Sequence, residues 1–226
     1  MIQVRNLVKS YRELKVLDGV SFDIERGEFI AIFGSSGAGK TTLLNILATW
    51  DKPDEGEVIF NGFNVIDASE QFLERFRIEN LGFAHQSSHM IECLTLYENV
   101  ALPLILLGYP KNKKEKTVTK LLKEVGLEDK AENRPSQLSL GQKKRACIAR
   151  ALVTDPRFIL IDEPTANLDA ANKERILSLL RQKQKGGATV IVATHDQVVT
   201  NYAKVLQLTN GKLIPLQAED GVKLPL

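Results

Sequence analysis

Residues 29–48 set a run that is apolar on both faces, Phe29-Ile30-Ala31-Ile32-Phe33, directly before a glycine-rich turn and a helical pattern from Thr41 to Ala48. A strand with no polar face must be covered on both sides, which is the condition of a parallel sheet between layers. The turn, Gly34-Ser35-Ser36-Gly37-Ala38-Gly39-Lys40-Thr41, fits G-x-x-x-x-G-K-[ST] in the strand–turn–helix setting which that pattern requires. Its glycines let the backbone turn tightly and aim successive N–H groups into one anion-binding concavity. The helix that starts near Lys40 adds the positive end of its dipole. The segment therefore predicts a phosphate cradle, in which Lys40 reaches the β- and γ-phosphates and the Thr41 hydroxyl ligates Mg²⁺.

Two further apolar runs read as buried strands, Phe158-Ile159-Leu160-Ile161 and Ala188 to Ala193, with a helix from Asn172 to Lys185 between them, stopped by Gly186-Gly187. Apolar runs alternating with helical patterns argue for an α/β fold. The first of these runs ends on Asp162-Glu163. Ligands of open parallel sheets gather at the carboxyl ends of strands. Asp162 is thus expected to hold Mg²⁺ directly or through water, and Glu163 to polarise a water in line with a γ-phosphate.

The N-terminal segment differs. Ile2-Gln3-Val4 and Val20 to Ile24 alternate apolar and polar, as antiparallel strands with one wet face do, and Val58-Ile59-Phe60 before Asn61-Gly62 continues the style. Tyr97–Leu107, Lys113–Val125 and Ala131–Pro135 carry helical or loop signals and no strand signal, so residues 88–137 read as a helical insert. Lys111 to Lys116 reads as a solvated charge run. Gly211 to Leu226 reads as a last strand and then a loosely held end.

Composition narrows the function classes. The 226 residues carry 30 Lys+Arg against 28 Asp+Glu, a formal net charge of +2, with 43% apolar residues. That balance excludes a disordered or collagen-like chain and supplies no field for coating nucleic acid. Cys93 and Cys147 read as reduced thiols and not as a disulfide framework. The most apolar stretch, Val100–Leu107, is broken by Pro103 and falls short of the roughly 20 residues a bilayer-spanning helix needs.

Leu138-Ser139-Leu140-Gly141-Gln142 resembles the signature of ATP-binding cassette (ABC) ATPases, usually Leu-Ser-Gly-Gly-Gln, and departs from it only at Leu140. Other segments are similar to that family in the expected order. Gln86 stands where its Q-loop glutamine belongs, Ala166-Asn167-Leu168-Asp169 looks like the D-loop, and His195 in Ala193-Thr194-His195-Asp196 looks like the switch histidine. Tyr11 sits where the family stacks an aromatic on adenine. Lys143 and Lys144 replace residues often Gln in the family and read as a solvated face, while His85 and His89 receive no role. The resemblance covers about residues 2–214.

What this resemblance implies is specific. The fold would be a P-loop NTPase with a RecA-like parallel-sheet core at 29–55 and 138–214. An antiparallel β subdomain would take 1–28 and 56–66, a helical subdomain 88–137 and a C-terminal tail 215–226. The ligands would be ATP and Mg²⁺. Tyr11, Gly34, Ser35, Ser36, Gly37, Ala38, Gly39, Lys40, Thr41 and Thr42 would hold the nucleotide, and Thr41, Gln86 and Asp162 the metal. Glu163, His195 and Gln86 would serve hydrolysis. Two copies would pack head to tail, with Ser139, Gly141 and Gln142 of each capping ATP in the other and Asp169 touching the partner near its cradle. A separate membrane permease would dock on the helical subdomain and the Q-loop, placing the subunit peripherally on the cytoplasmic face of the membrane, with no nucleic-acid partner. Thr95-Leu96-Tyr97-Glu98-Asn99-Val100 and Leu102-Pro103-Leu104 resemble the branch of macrolide exporters and lipoprotein-release ATPases. A cell-division-type regulatory ATPase, which signals to an envelope complex and transports nothing, carries the same motifs. Soluble cassettes that act on DNA or ribosomes usually have a second cassette or a long coiled-coil insertion, absent here. A small-molecule kinase would need an acceptor site in place of water-activating groups.

Overall fold

The computed structural model describes residues 1–87 and 89–215. The chain opens with two long strands, β1 (Ile2–Tyr11) and β2 (Leu14–Ile24), then β3 (Phe29–Phe33) and helix α1 (Lys40–Leu47). Next come β4 (Glu55–Phe60), β5 (Phe63–Asn64), α2 (Glu70–Asn80), β6 (Leu81–Ala84), α3 (Leu96–Leu106) and α4 (Lys111–Glu124). The last part holds α5 (Leu140–Leu152), β7 (Phe158–Asp162), α6 (Ala170–Lys185), β8 (Thr189–Thr194), β9 (Lys204–Thr209) and β10 (Lys212–Pro215). The expected loose end beyond Pro215 lies outside the described residues.

The strands form two sheets. A four-stranded antiparallel sheet runs β2-β1-β4-β5, and a six-stranded sheet runs β10-β9-β3-β8-β7-β6. In the larger sheet every pair from β9 to β6 is parallel, and only the β9–β10 hairpin is antiparallel. Period-two alternation divides its side chains between two cores. Phe29, Ala31, Ile159, Ile161, Val190 and Val192 face α3, α4, α5 and α6. Ile30, Ile32, Phe158, Leu160, Ile191 and Ala193 face α1 and the antiparallel sheet. The three runs read as buried strands are therefore central strands covered on both faces. The α/β class holds, with parallel and antiparallel sheets as expected.

Some elements lay outside the sequence reading. Helix α2 buries only Leu73, so it has no apolar stripe to reveal it. Strand β6 is short and contains Gly82, whose added Cβ would lie 2.1 Å from the Ala151 carbonyl oxygen. The glycine there allows α5 to press against the sheet. Strand β9 buries Leu206 and Leu208 only. Strands β1 and β2 run longer than their alternating segments suggested, because register shifts between Val4 and Leu7 and between Leu7 and Lys9 break the alternation.

Residues 88–137 contribute α3, α4 and two short 3₁₀ turns, with no strand among the described residues. Thr95 caps α3 in a reciprocal capping box with Glu98. The basic run at the start of α4 is largely exposed, as a solvated face should be. Cys147 is buried in the helical core and Cys93 is exposed. Among the described residues, no helix is long and apolar enough to cross a membrane.

Candidate functional site

The carboxyl ends of β3, β7 and β8 open on one cavity of about 540 Å³. Tyr11, Ser35, Ser36, Gly37, Gly39, Lys40, Thr41, Thr42, Gln86, Asp162, Glu163 and His195 line it, together with Val16. Of the residues expected around the nucleotide in one copy, only Gly34 and Ala38 are not in its wall; both belong to the turn that forms its floor. Gly39 has φ +98°, and a Cβ there would lie 2.9 Å from the Val16 carbonyl oxygen, so both conformation and space demand glycine. Gly39 is also the N-cap of α1 and offers no side chain to the first N–H groups of that helix. Those donors face the turn without a side-chain cap. The Lys40 ammonium is buried and donates to the carbonyl oxygens of Gly34 at 2.8 Å and Ser35 at 2.9 Å.

Asp162 ends β7 almost fully buried. Its Oδ2 accepts from the Thr41 hydroxyl at 2.8 Å, while its Oδ1 is buried with no hydrogen-bond partner. Burial pushes the Asp162 carboxyl above the usual range, against the Thr41 hydrogen bond and the Lys144 charge. An orphaned carboxylate oxygen, the Thr41 hydroxyl on the same carboxylate and Gln86 lining the same cavity offer oxygen donors of the kind a hard divalent cation takes. Mg²⁺ therefore fits the residues present.

Glu163 has φ +50°, a left-handed backbone that costs a non-glycine residue about 1–3 kcal/mol. The surroundings hold it there. Its N–H donates to the Ala193 carbonyl at 2.8 Å, and its carboxylate accepts from the Thr194 hydroxyl at 3.2 Å. Its Oε1 also lies 2.7 Å from Nδ1 of His195, whose side chain is 69% exposed. Next along the chain, Asp196 binds Lys173 at 2.6 Å and Thr165 at 2.9 Å, fixing the loop that carries the histidine. Tyr11 stands at the rim, its hydroxyl donating to Asp51 at 2.5 Å and the Lys9 ammonium 5.2 Å from its ring centre. Burial and the Asp51 bond push the tyrosine hydroxyl up from its ordinary pKa.

Ser139, Gly141 and Gln142 are elsewhere, at the start of α5, and do not line this cavity. Ser139 and Gln142 form a reciprocal capping box, at 3.2 and 2.8 Å. A Cβ on Gly141 would lie 2.6 Å from the Asn167 carbonyl oxygen, so the helix start packs directly on the 166–169 loop. Leu140 is 67% exposed and needs no left-handed backbone, so the departure from glycine there leaves the local fold undisturbed. Asp169 is exposed and caps α6 through the Asn172 N–H at 2.8 Å.

One expectation is corrected. Lys144 is not on a solvated face. It is 3% exposed, and its ammonium donates to the carbonyl oxygens of Asp162 and, at 3.4 Å, of His85. Burial pushes that ammonium below its ordinary pKa, against the attraction of Asp162. The signal was present in the sequence: position 144 lies one helical turn before buried Ile148 and two before buried Ala151. Lys143, in contrast, is half-exposed. A second groove, of about 460 Å³, lies between β6, α2, α3 and α5. Trp50, Phe83, Leu102, Pro103 and Leu106 form its apolar wall, with Arg77 and Arg150 also lining it. His85 and His89 reach the same groove, both against the Ser87 hydroxyl.

A strand–cradle–helix unit facing an acid pair across a parallel sheet, with a second sheet and a helical arm attached, defines a class. Residues 17–166 match the ABC transporter family, and the chain belongs to it. It is 42% identical over 221 residues to an uncharacterized ABC transporter ATP-binding protein of Methanocaldococcus jannaschii, covering 96% of this chain and 99% of that one. It is 37% identical to the lipoprotein-releasing system ATP-binding protein LolD of Aquifex aeolicus, over 95% of this chain and 96% of LolD. The macrolide export ATP-binding/permease protein MacB of Rhodopirellula baltica is 40% identical over 97% of this chain, which matches only 33% of that longer protein. Among solved structures, the ATP-binding cassette MJ0796, as a dimer in a post-hydrolysis state bound to ADP and Pi, superposes with a TM-score of 0.90. That cassette is 38% identical, and the match covers 94% of this chain and 96% of that one. The fold is that of an ABC ATPase cassette.

Proposed function

We propose that this chain hydrolyses ATP and drives a separate membrane permease by closing head to tail with a second copy around the nucleotide. The observation that carries this reading is a division of labour. The cradle, Asp162, Glu163 and His195 share one cavity, while the α5 helix start with Ser139 and Gly141 lies outside it. A helix N-terminus with an exposed hydroxyl favours an anion. In this chain it has none of its own to meet, so it completes the pocket of another copy. The dimeric state of the similar cassette MJ0796 supports that arrangement.

In the mechanism, the N–H groups of residues 35–41 and the Lys40 ammonium receive the phosphates. Lys40 exchanges its two carbonyl partners for phosphate oxygens, so the charge is already aimed before ATP arrives. Tyr11, braced by Asp51, supports the base from the rim. Thr41, Asp162 and Gln86 would hold Mg²⁺, and the Asp162 oxygen without a partner gains one. When bound there, the cation would supply positive charge to offset that of the phosphates. Glu163 takes the proton of the attacking water at its carboxylate, and His195 leaves Glu163 to hold the γ-phosphate and orient that water. General base assistance of this kind contributes about 10²–10⁴-fold. Ser139 and the Gly141 N–H of the second copy bind the γ-phosphate from the far side, with Gln142 and Asp169 of that copy at the same seam.

The groove walled by Trp50, Phe83, Leu102, Pro103 and Leu106 supports permease docking at the helical subdomain, residues 88–137, next to Gln86. Leu106 and Trp50 are 67% and 58% exposed there, an apolar surface of the kind that marks a partner. Docking places the subunit peripherally on the cytoplasmic face of a membrane. Similarity to LolD and MacB supports the lipoprotein-release and macrolide-export branch. The test is co-expression with a candidate membrane permease of the LolD or MacB type. A stable complex with stimulated ATP turnover is expected, and Trp50→Ala with Leu106→Asp should dissolve the complex. Full turnover with no complex would contradict the coupling.

A further inference from the structure

We propose that Lys144 is a positioning residue that ties the signature-bearing helix to the hydrolytic strand and the glutamine loop of its own copy. The inference rests on the reading of Glu163 as general base and adds to it. Lys144 lies in α5, one turn after the Ser139–Gly141 helix start. Its ammonium, 3% exposed, donates to two main-chain carbonyls on two other segments. One is Asp162 at the end of β7, the other is His85, the residue before Gln86.

The first contact has a particular consequence. The Asp162 carbonyl and the Glu163 N–H belong to one peptide unit. Lys144 holds its oxygen and the Ala193 carbonyl holds its N–H at 2.8 Å. That peptide leads directly into the left-handed backbone of Glu163, which persists only where its surroundings over-determine it. Lys144 is half of that clamp. A charged donor gives stronger hydrogen bonds than a neutral one, and a buried ammonium needs acceptors. The two carbonyls satisfy that need only while α5, β7 and the residue 85–86 turn keep their relative places. A shift of the glutamine loop is therefore felt at Glu163 and at the α5 helix start together. The helix that caps the other copy's ATP and the carboxylate that activates water at this copy's ATP are set by one side chain.

The test uses the full chain with MgATP and two variants. Lys144→Met keeps the length and removes the donors; Lys144→Gln keeps an N–H donor without the charge. Lys144→Met should lower kcat at least tenfold while KM for ATP stays within about threefold. Lys144→Gln should recover kcat to within about fivefold of wild type. Hydrogen exchange at the Glu163 amide should quicken in Lys144→Met and return toward wild type in Lys144→Gln. In the Glu163→Gln background, which isolates assembly from turnover, Lys144→Met should raise the ATP concentration needed for dimerisation about tenfold. Should Lys144→Met fail to fold, Lys144→Gln decides: kcat within fivefold at unchanged ATP affinity is expected, and a tenfold loss in either overturns the proposal. A folded Lys144→Met with wild-type kcat and wild-type exchange at Glu163 overturns it as well. The base reading fails separately, and only if Glu163→Gln itself turns over ATP.

Discussion

Glu163 and His195 hold each other at 2.7 Å, carboxylate oxygen to ring Nδ1, in the cavity at the carboxyl ends of β3, β7 and β8. Glu163 is 7% exposed and gripped by the backbone of β8, whereas the histidine side chain is 69% exposed at the start of a loop. The pair is asymmetric: a fixed carboxylate and a histidine with room to move. On the proposed mechanism the contact is the resting arrangement, and ATP separates it. His195→Ala should lower kcat about 10²–10³-fold, the usual cost of losing one donor to a developing oxyanion. ATP affinity should stay within a few-fold, since the cradle does not use the imidazole. Single-turnover hydrolysis alongside nucleotide titration separates the two effects; a loss confined to affinity would contradict the role.

Lys40 is buried against two carbonyls of its own turn, so its removal withdraws a charged donor from the cradle. Hydrogen bonds to charged groups contribute about 1.5–3 kcal/mol, which is about a 10- to 150-fold change in binding. Lys40→Ala should weaken ATP binding by that factor in fluorescence or calorimetric titration. Unchanged affinity would remove the phosphates from this turn.

Positions 140 and 141 should respond in opposite ways. Leu140 projects into solvent on an ordinary helical backbone, so Leu140→Gly should change turnover by no more than a few-fold. Gly141→Ala sets a methyl carbon 2.6 Å from the Asn167 carbonyl oxygen and forces the helix start off the 166–169 loop. Turnover should fall at least tenfold there while the monomer still binds ATP. A large gain from Leu140→Gly would mean that the leucine holds the site down.

The parts of this molecule that a reader of the sequence could place are those where burial leaves one choice. Strands β3, β7 and β8 are covered on both faces, and their uninterrupted apolar runs say so. The cradle is legible because Gly37 and Gly39 take left-handed backbones that other residues resist. Helix α2 and strand β6 were missed because one is anchored by a single buried leucine and the other is four residues long. Lys144 was misplaced for a different reason. Lysine is so seldom buried that residue type outweighed helical position, and only the carbonyls of Asp162 and His85, from distant parts of the chain, explain its burial. The neighbourhood of Glu163 is similarly non-local: its clamps come from β8 and α5.

The central claim is that two copies close on ATP, each completing the other's pocket. Its most direct measurement is the mass in solution of Glu163→Gln with saturating MgATP, by light scattering on a sizing column, beside Glu163→Gln carrying Ser139→Arg. The first protein should bind ATP, fail to hydrolyse it and run as a dimer that reverts to monomer when nucleotide is removed. The second should bind ATP as well and stay monomeric, because an arginine at the exposed α5 cap meets the other copy's nucleotide. A monomeric Glu163→Gln at saturation, or a stable ATP dimer that tolerates Ser139→Arg, would contradict the account.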